Sequence, residues 1–176
     1  DVHYQTALEI ALGASSQHII VEDEQAATKA IDFLKRNRAG RATFLPLTTI
    51  KARSISGQNQ DVIASSPGFL GMADELVTFD AKHEAIFKNL LATTAIFDTV
   101  EHARDAARKV RYQVRMVTLD GTELRTGGSY AGGANRQNNS IFIKPELEQL
   151  QKEIAQEEKL LRQEEDNLKS VQEALT

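Results

Sequence analysis

From Pro145 onward the chain sets apolar residues alternately three and four apart. Leu147, Leu150, Ile154, Leu161, Leu168, Val171 and Leu175 fill seven of nine successive a/d positions, with Glu157 and Glu164 in the other two. An apolar repeat of 3.5 residues predicts a helix with one narrow stripe that needs a second helix to cover it. About 30 residues at about 1.5 Å each make a coiled-coil arm of roughly 45 Å. The competing reading is an amphipathic helix lying on its own domain, but such helices usually carry a wider apolar face. The two glutamates make the seam imperfect where they fall. Lys152, Lys159, Arg162 and Lys169 face nine Asp/Glu in this segment, whereas residues 1–144 carry 17 basic and 16 acidic groups. The net charge of −4 therefore divides into a near-neutral body and an acidic arm.

At 176 residues, 41% hydrophobic and 26% charged, the chain can hold one compact domain or two small lobes with a real core. No apolar run approaches the roughly 18 residues that cross a membrane, so a soluble, cytosolic protein is expected. The absence of cysteine excludes disulfides and thiolate metal sites and agrees with a reducing compartment. The first residue is Asp1 and both ends read as helix, which suggests a piece of a longer chain.

Tyr4 to Leu12 predicts a helix stopped by Gly13. His18-Ile19-Ile20-Val21 reads as a strand, and Glu22-Asp23-Glu24 opens a helix with Ala26, Ala27, Ala30, Ile31 and Leu34 at helical spacing, ending near Gly40. Ala42 to Leu47 reads as a second strand, so the first lobe should hold a parallel or mixed sheet. Ser54 to Gly71 predicts a long ordered loop with short extended pieces. There follow a strand at Leu76-Val77-Thr78-Phe79, a helix at His83 to Leu91, a strand at Ala95-Ile96-Phe97, a helix from Thr99 to Val110, and a strand from Tyr112 to Leu119 with Tyr112, Val114 and Met116 on one face. Asp120-Gly121 is the strongest hairpin signal. The fold class is mixed α/β (α+β), divided as an incoming helix at 1–12, lobes at 13–79 and 80–144, and an outgoing helix at 145–176.

Residues Gly127, Gly128, Gly132 and Gly133 concentrate four of the ten glycines in seven positions. Glycine pairs suggest positive φ or a backbone approach too close for a Cβ. The spacing fits neither phosphate-loop pattern. A flexible linker or a packing surface against another chain remains, and the second leads because the stretch lies between a strand-rich lobe and Ile141-Phe142-Ile143. His83-Glu84 opens like a zinc helix, but Phe87 stands where the second histidine would be needed. His3, His18 and His102 have no ligand set, and no nucleophile has a local motif, so neither a metal nor a catalytic site is expected. Lys35, Arg36, Arg38 and Arg41 cluster at the end of one helix, where simple capping explains them. Arg104, Arg108 and Arg111, with Lys109 beside them, form an i, i+4, i+7 stripe that could hold phosphates without reading bases.

Three motifs in order, Gly68-Phe69-Leu70-Gly71-Met72-Ala73-Asp74, Arg115-Met116-Val117-Thr118-Leu119-Asp120-Gly121 and Gly127-Gly128-Ser129-Tyr130-Ala131-Gly132-Gly133, resemble the hinge of SMC (structural maintenance of chromosomes) proteins, the bacterial kind above all, over roughly residues 5–144. Tyr130 departs from the pattern, where a smaller or unbranched residue such as Met is expected. The resemblance implies a two-lobed hinge pairing with a second copy as a two-fold ring, through Gly127, Gly128, Ser129, Tyr130, Gly132 and Gly133. It implies ATP and Mg only at head domains outside this stretch, and no cofactor here. Weak, sequence-independent DNA contact would fall to Lys35, Arg36, Arg38, Arg104, Arg108, Lys109 and Arg111. The expected setting is the cytoplasm at the nucleoid, with no membrane and no accessory subunit contacted. Two rivals stay open: a small α/β enzyme fused to a coiled coil, which would need a deep pocket of convergent titratable groups, and a coiled-coil adaptor for another protein.

Overall fold

The computed structural model describes residues 2–134 and 143–174. Leu175 of the seam, Ile141 and Phe142 lie outside them. The chain forms two compact units, residues 1–138 and 139–176.

The first unit begins with a short 3-10 turn, Val2–Tyr4, and helix α1, Gln5–Leu12, which ends at Gly13 with φ 50°. Strand β1, Ile19–Val21, runs parallel to β2, Phe44–Pro46, and helix α2, Glu24–Asn37, forms the crossover between them. The acidic triplet opens α2 as the sequence predicts: Asp23 Oδ1 accepts the Ala26 N–H at 2.8 Å.

The second sheet is mixed. Its order is β3 (Phe69–Met72), β4 (Thr94–Phe97), β5 (Arg115–Thr118), β6 (Glu123–Leu124) and β7 (Tyr130–Ala131). Only β4 and β5 are parallel, joined by helix α5, Val100–Lys109. Thr99 Oγ1 caps α5 by accepting the His102 N–H at 3.3 Å. Ala103, Ala106 and Ala107 let α5 sit close on the sheet, in a core with Ile63, Met72, Phe97, Val110, Met116 and Leu124. Helix α1 packs on β5 and on helix α4, Glu84–Leu91, burying Ala7, Leu8 and Ala11. Strands β4 and β5 are thus covered by helices and are buried on nearly every residue. The Asp120-Gly121 hairpin joins β5 to β6, with Gly121 at φ 87° and its N–H on the Thr118 carbonyl at 2.9 Å.

Three elements differ from expectation. Residues 54–71 are no long loop: they hold helix α3, Gly57–Ala64, capped by the Ser56 hydroxyl, and then β3. Leu76–Phe79 is no strand. Ala73–Leu76 makes a 3-10 turn, and the Phe79 ring stacks on Phe87 at 4.6 Å, so contact with α4 replaces sheet pairing. The strand expected from Tyr112 starts only at Arg115, because Arg111 and Tyr112 have φ 53° and 56° and close the end of α5, with Tyr112 N–H on the Ala107 carbonyl at 2.8 Å. β3 precedes residue 80 yet pairs with β4, so hydrogen bonding crosses the expected division at 79/80.

The second unit contains helix α6, Ile143–Ala174, 32 residues and about 48 Å long. It starts two residues before Pro145, which is tolerated in a first turn because those N–H groups lack intrahelical partners. Leu147, Leu150, Ile154, Leu161, Leu168 and Val171 are all more than half exposed. The predicted seam is present as an uncovered stripe.

Candidate functional site

The glycine-rich stretch is a hairpin at the rim of the mixed sheet. Arg125 N–H donates to the Ser129 carbonyl at 2.8 Å and Gly128 N–H to the Arg125 carbonyl at 3.0 Å. Gly127, Gly128 and Gly133 have φ 88°, 98° and 129°. Within the chain a Cβ at Gly127 or Gly133 would meet nothing within 4 Å, so Gly127 serves the turn's left-handed backbone, and Gly133 a positive φ just past β7, rather than a crowded contact. Between Gly128 and Gly132, β7 pairs with β6 on one side, and among the described residues no strand pairs with the other. Such an edge offers unpaired N–H and C=O groups to another chain.

Tyr130 stands on this edge, 48% exposed. Its hydroxyl hydrogen-bonds that of Tyr112 at 2.8 Å, and the rings meet edge to face at 6.3 Å. The hydrogen bond to Tyr112 pushes the Tyr130 phenol above its ordinary value, opposed by the nearby Arg108 and Arg104 guanidinium groups. Gly127 N–H also donates to the Tyr112 carbonyl at 3.0 Å, so the residues that close α5 stand beside the glycine hairpin. Arg104 Nε is buried and has no hydrogen-bond partner among the described residues. Arg111 does not continue the helical stripe, since it lies past the end of α5 in the left-handed region. Lys35 and Arg36 lie in the last turn of α2, and Arg38, with φ 50°, caps it, as the dipole argument expects.

Sequence reasoning missed a set of exposed apolar residues around the first sheet. Ile19, Ile20, Ile31, Phe33 and Leu47, all from β1, α2 and the end of β2, are 37–61% exposed. A parallel sheet is normally covered on both faces, and two strands alone are marginal in water. The unbroken Ile19-Ile20-Val21 run was the available signal: a strand facing water on one side would alternate.

Arg108 and Lys109 also line an open cleft of about 280 Å³ with Ser66, His102 and Asp105. His102 Nδ1 lies 2.7 Å from Asp98 Oδ1, and this hydrogen bond holds the Asp98 carboxyl below its ordinary range. Ser66 Oγ donates to the Val62 carbonyl at 2.7 Å, so the hydroxyl is committed to the main chain rather than held by the imidazole. Among the described residues no group of acidic, histidine or cysteine side chains could hold a metal, and no helix is long and apolar enough to cross a membrane.

The sequence model described as SMC proteins Flexible Hinge Domain matches residues 1–107. The chain belongs to this family. The hinge is 46% identical over 171 residues to Chromosome partition protein Smc of Bacillus subtilis, covering 94% of this chain and 14% of the relative. It is 40% identical to that of Lactiplantibacillus plantarum, covering 80% of this chain and 12% of the relative. The chain thus spans about one seventh of the curated relatives it matches. Among solved structures, an asymmetric dimer of the Geobacillus stearothermophilus SMC hinge domain matches with a TM-score of 0.78 and 39% identity, over 92% of this chain and 66% of that one. The Pyrococcus furiosus SMC hinge domain matches with a TM-score of 0.63 and 34% identity, over 79% and 69%. The same hinge with an extended coiled coil covers 99% of this chain and 60% of that one, with a TM-score of 0.62 and 31% identity. The glycine hairpin lies beyond the residues matched by the family model, and its geometry stands on the structure alone.

Proposed function

We propose that this hinge pairs two copies of the chain with two-fold symmetry, the apolar β1 side of each meeting the β7 edge of the other, and so joins two coiled-coil arms of a chromosome-partition ATPase. The observation that carries this reading is the contrast between two of the open strand edges among the described residues, β1 and β7. One is the apolar strand β1, with Ile19 and Ile20 exposed, and the other offers backbone groups and Tyr130. Two different edges on one chain satisfy each other twice in a closed two-fold pair. The Geobacillus stearothermophilus hinge, solved as an asymmetric dimer, supports the coarser part of this reading, that two copies of a hinge pair. The hinge supplies connection, and ATP and Mg belong to head domains of the full protein.

The chain has no native cysteine, so single-cysteine variants report proximity cleanly. Copies carrying Ile20→Cys mixed with copies carrying Tyr130→Cys should cross-link through a short bismaleimide far better than either variant alone. Equal yields from like and unlike pairs would rule out this arrangement.

The arginines of α5 extend the reading to DNA. Arg104, Arg108, Lys109 and Arg111, joined by Lys35, Arg36 and Arg38, would contact phosphates weakly and without sequence preference at the nucleoid. Reversing Arg104, Arg108 and Lys109 together should weaken duplex binding and flatten its salt dependence, by roughly one unit of slope per lost phosphate contact. Affinity that ignores both salt and these substitutions would remove DNA from the account.

A further inference from the structure

Arg115 stands at the start of β5, between the incoming helix and the pairing edge. The last four carbonyls of a helix have no intrahelical partner. Arg115 takes two of those of α1: Nη2 donates to the Ile10 carbonyl at 2.9 Å and Nη1 to the Ala11 carbonyl at 2.7 Å. Its charge also suits the negative end of the helix dipole. The same guanidinium turns its Nε to Glu123 Oε1 at 3.0 Å. Glu123 is 9% exposed and lies on β6, paired in register with Ala131 of β7. The same Oε1 accepts Arg125 Nε at 3.0 Å, and the Arg125 N–H closes the glycine hairpin on Ser129. Burial works against the Glu123 charge, but the hydrogen bonds from Arg125 and Arg115 outweigh it and hold the carboxyl below its ordinary range.

A second contact fixes α1 at the same place. Gly121, in the β5–β6 turn, has φ +87°, and a Cβ there would come within 3.1 Å of Thr6 and 3.6 Å of Ile10. The helix therefore rests against the turn that precedes β6 while Arg115 grips its end.

We infer that Arg115, acting through Glu123, is a positioning residue that couples the seating of the incoming helix α1 to the geometry of the β7 pairing edge. The inference rests on the proposed pairing through that edge. Two of the four hydrogen bonds made by Arg115 reach α1 and one reaches β6, so α1 cannot tilt or slide without releasing or dragging the carboxylate that organises the hairpin. The planar fork is what allows this. A lysine keeps the charge but cannot bond two carbonyls and a carboxylate in fixed directions.

The test compares the parent chain with Arg115→Lys, Glu123→Gln, the double variant, and Ile63→Val as a core control. Self-association is measured by dilution, amide exchange at Tyr130 and Ala131 by mass spectrometry, and overall stability by melting. Arg115→Lys should weaken self-association about tenfold, or about 1.4 kcal/mol, and accelerate exchange at β7. The double variant should fall well short of the product of the single effects, because both substitutions break one link. Ile63→Val should lower the melting temperature while leaving exchange at β7 and the dimer constant within about twofold once corrected for global unfolding. If Arg115→Lys behaves like Ile63→Val, Arg115 is only a structural residue and the coupling is refuted, while the pairing reading survives. If the parent chain does not pair at all, that reading fails, and exchange at β7 in the monomer still decides the coupling: faster in Arg115→Lys supports it, unchanged overturns it.

Discussion

Gly68 shows how one residue can fix a local arrangement. It has φ +78°, and a Cβ there would overlap both the Asp98 carboxylate and the His102 ring. The missing side chain lets the start of β3 pass directly against the Asp98–His102 pair, and the Asp98 N–H reaches the Gly68 carbonyl at 3.0 Å. Gly68→Ala should lower stability by about 1–3 kcal/mol from backbone strain alone, with a further loss from displacing His102, read as a reduced denaturation midpoint with unchanged m-value. Glu123 makes a pH-dependent prediction. Its carboxyl is depressed in the folded chain, so its stabilising contribution is present above the ordinary glutamate value near ~4.3 and is lost as pH falls through the lower, folded value. Glu123→Gln should cost about 1–3 kcal/mol at neutral pH and should flatten the decline of stability below about pH 4.3. Equal acid limbs for the two proteins would show that the carboxylate is not held by its arginines.

The elements show which signals a sequence carries and which it hides. Helix α2, the Asp120-Gly121 hairpin and the parallel β1–β2 pair were legible because capping residues, turn chemistry and a helix between two strands each act locally. Helix α3 was hidden by polar residues and Gly57, although Ser56 stood at its cap. Phe79 read as strand because aromatic residues favour sheets, but its partner is Phe87, four residues into α4, and pairing over that distance leaves no periodic trace. In the candidate site the glycine pairs marked a stretch needing positive φ or a close backbone approach, but not that it closes as a hairpin between β6 and β7. The exposure of Phe33 was not legible, since apolar residues read as core until burial is known, and at Ile19 and Ile20 the only signal was the unbroken apolar run of β1. The three alanines of α5 allow a close helix–sheet contact that a larger side chain would break. Ala107 is fully buried, so Ala107→Leu should destabilise by about 1–3 kcal/mol through overpacking. The same change at exposed Ala155 of α6 has no such core to disturb, and an equal loss in the melting of residues 2–134 from both variants would contradict the distinction.

At the scale of the whole molecule, the described residues leave β1 and β7 among the open strand edges of the body, and an apolar seam uncovered on the arm. Both call for further chain: a second hinge for the edges and a second helix for the seam. The measurement that separates them is the solution mass by light scattering across a dilution series, for the parent and for a chain with Gly127, Gly128, Gly132 and Gly133 replaced by bulkier residues. The account predicts that the parent holds twice the 19.5 kDa chain mass through the micromolar range and that the substituted chain is a folded monomer. A parent that stays at single-chain mass, or a dimer that survives the four substitutions with its fold intact, would contradict pairing through the β7 edge.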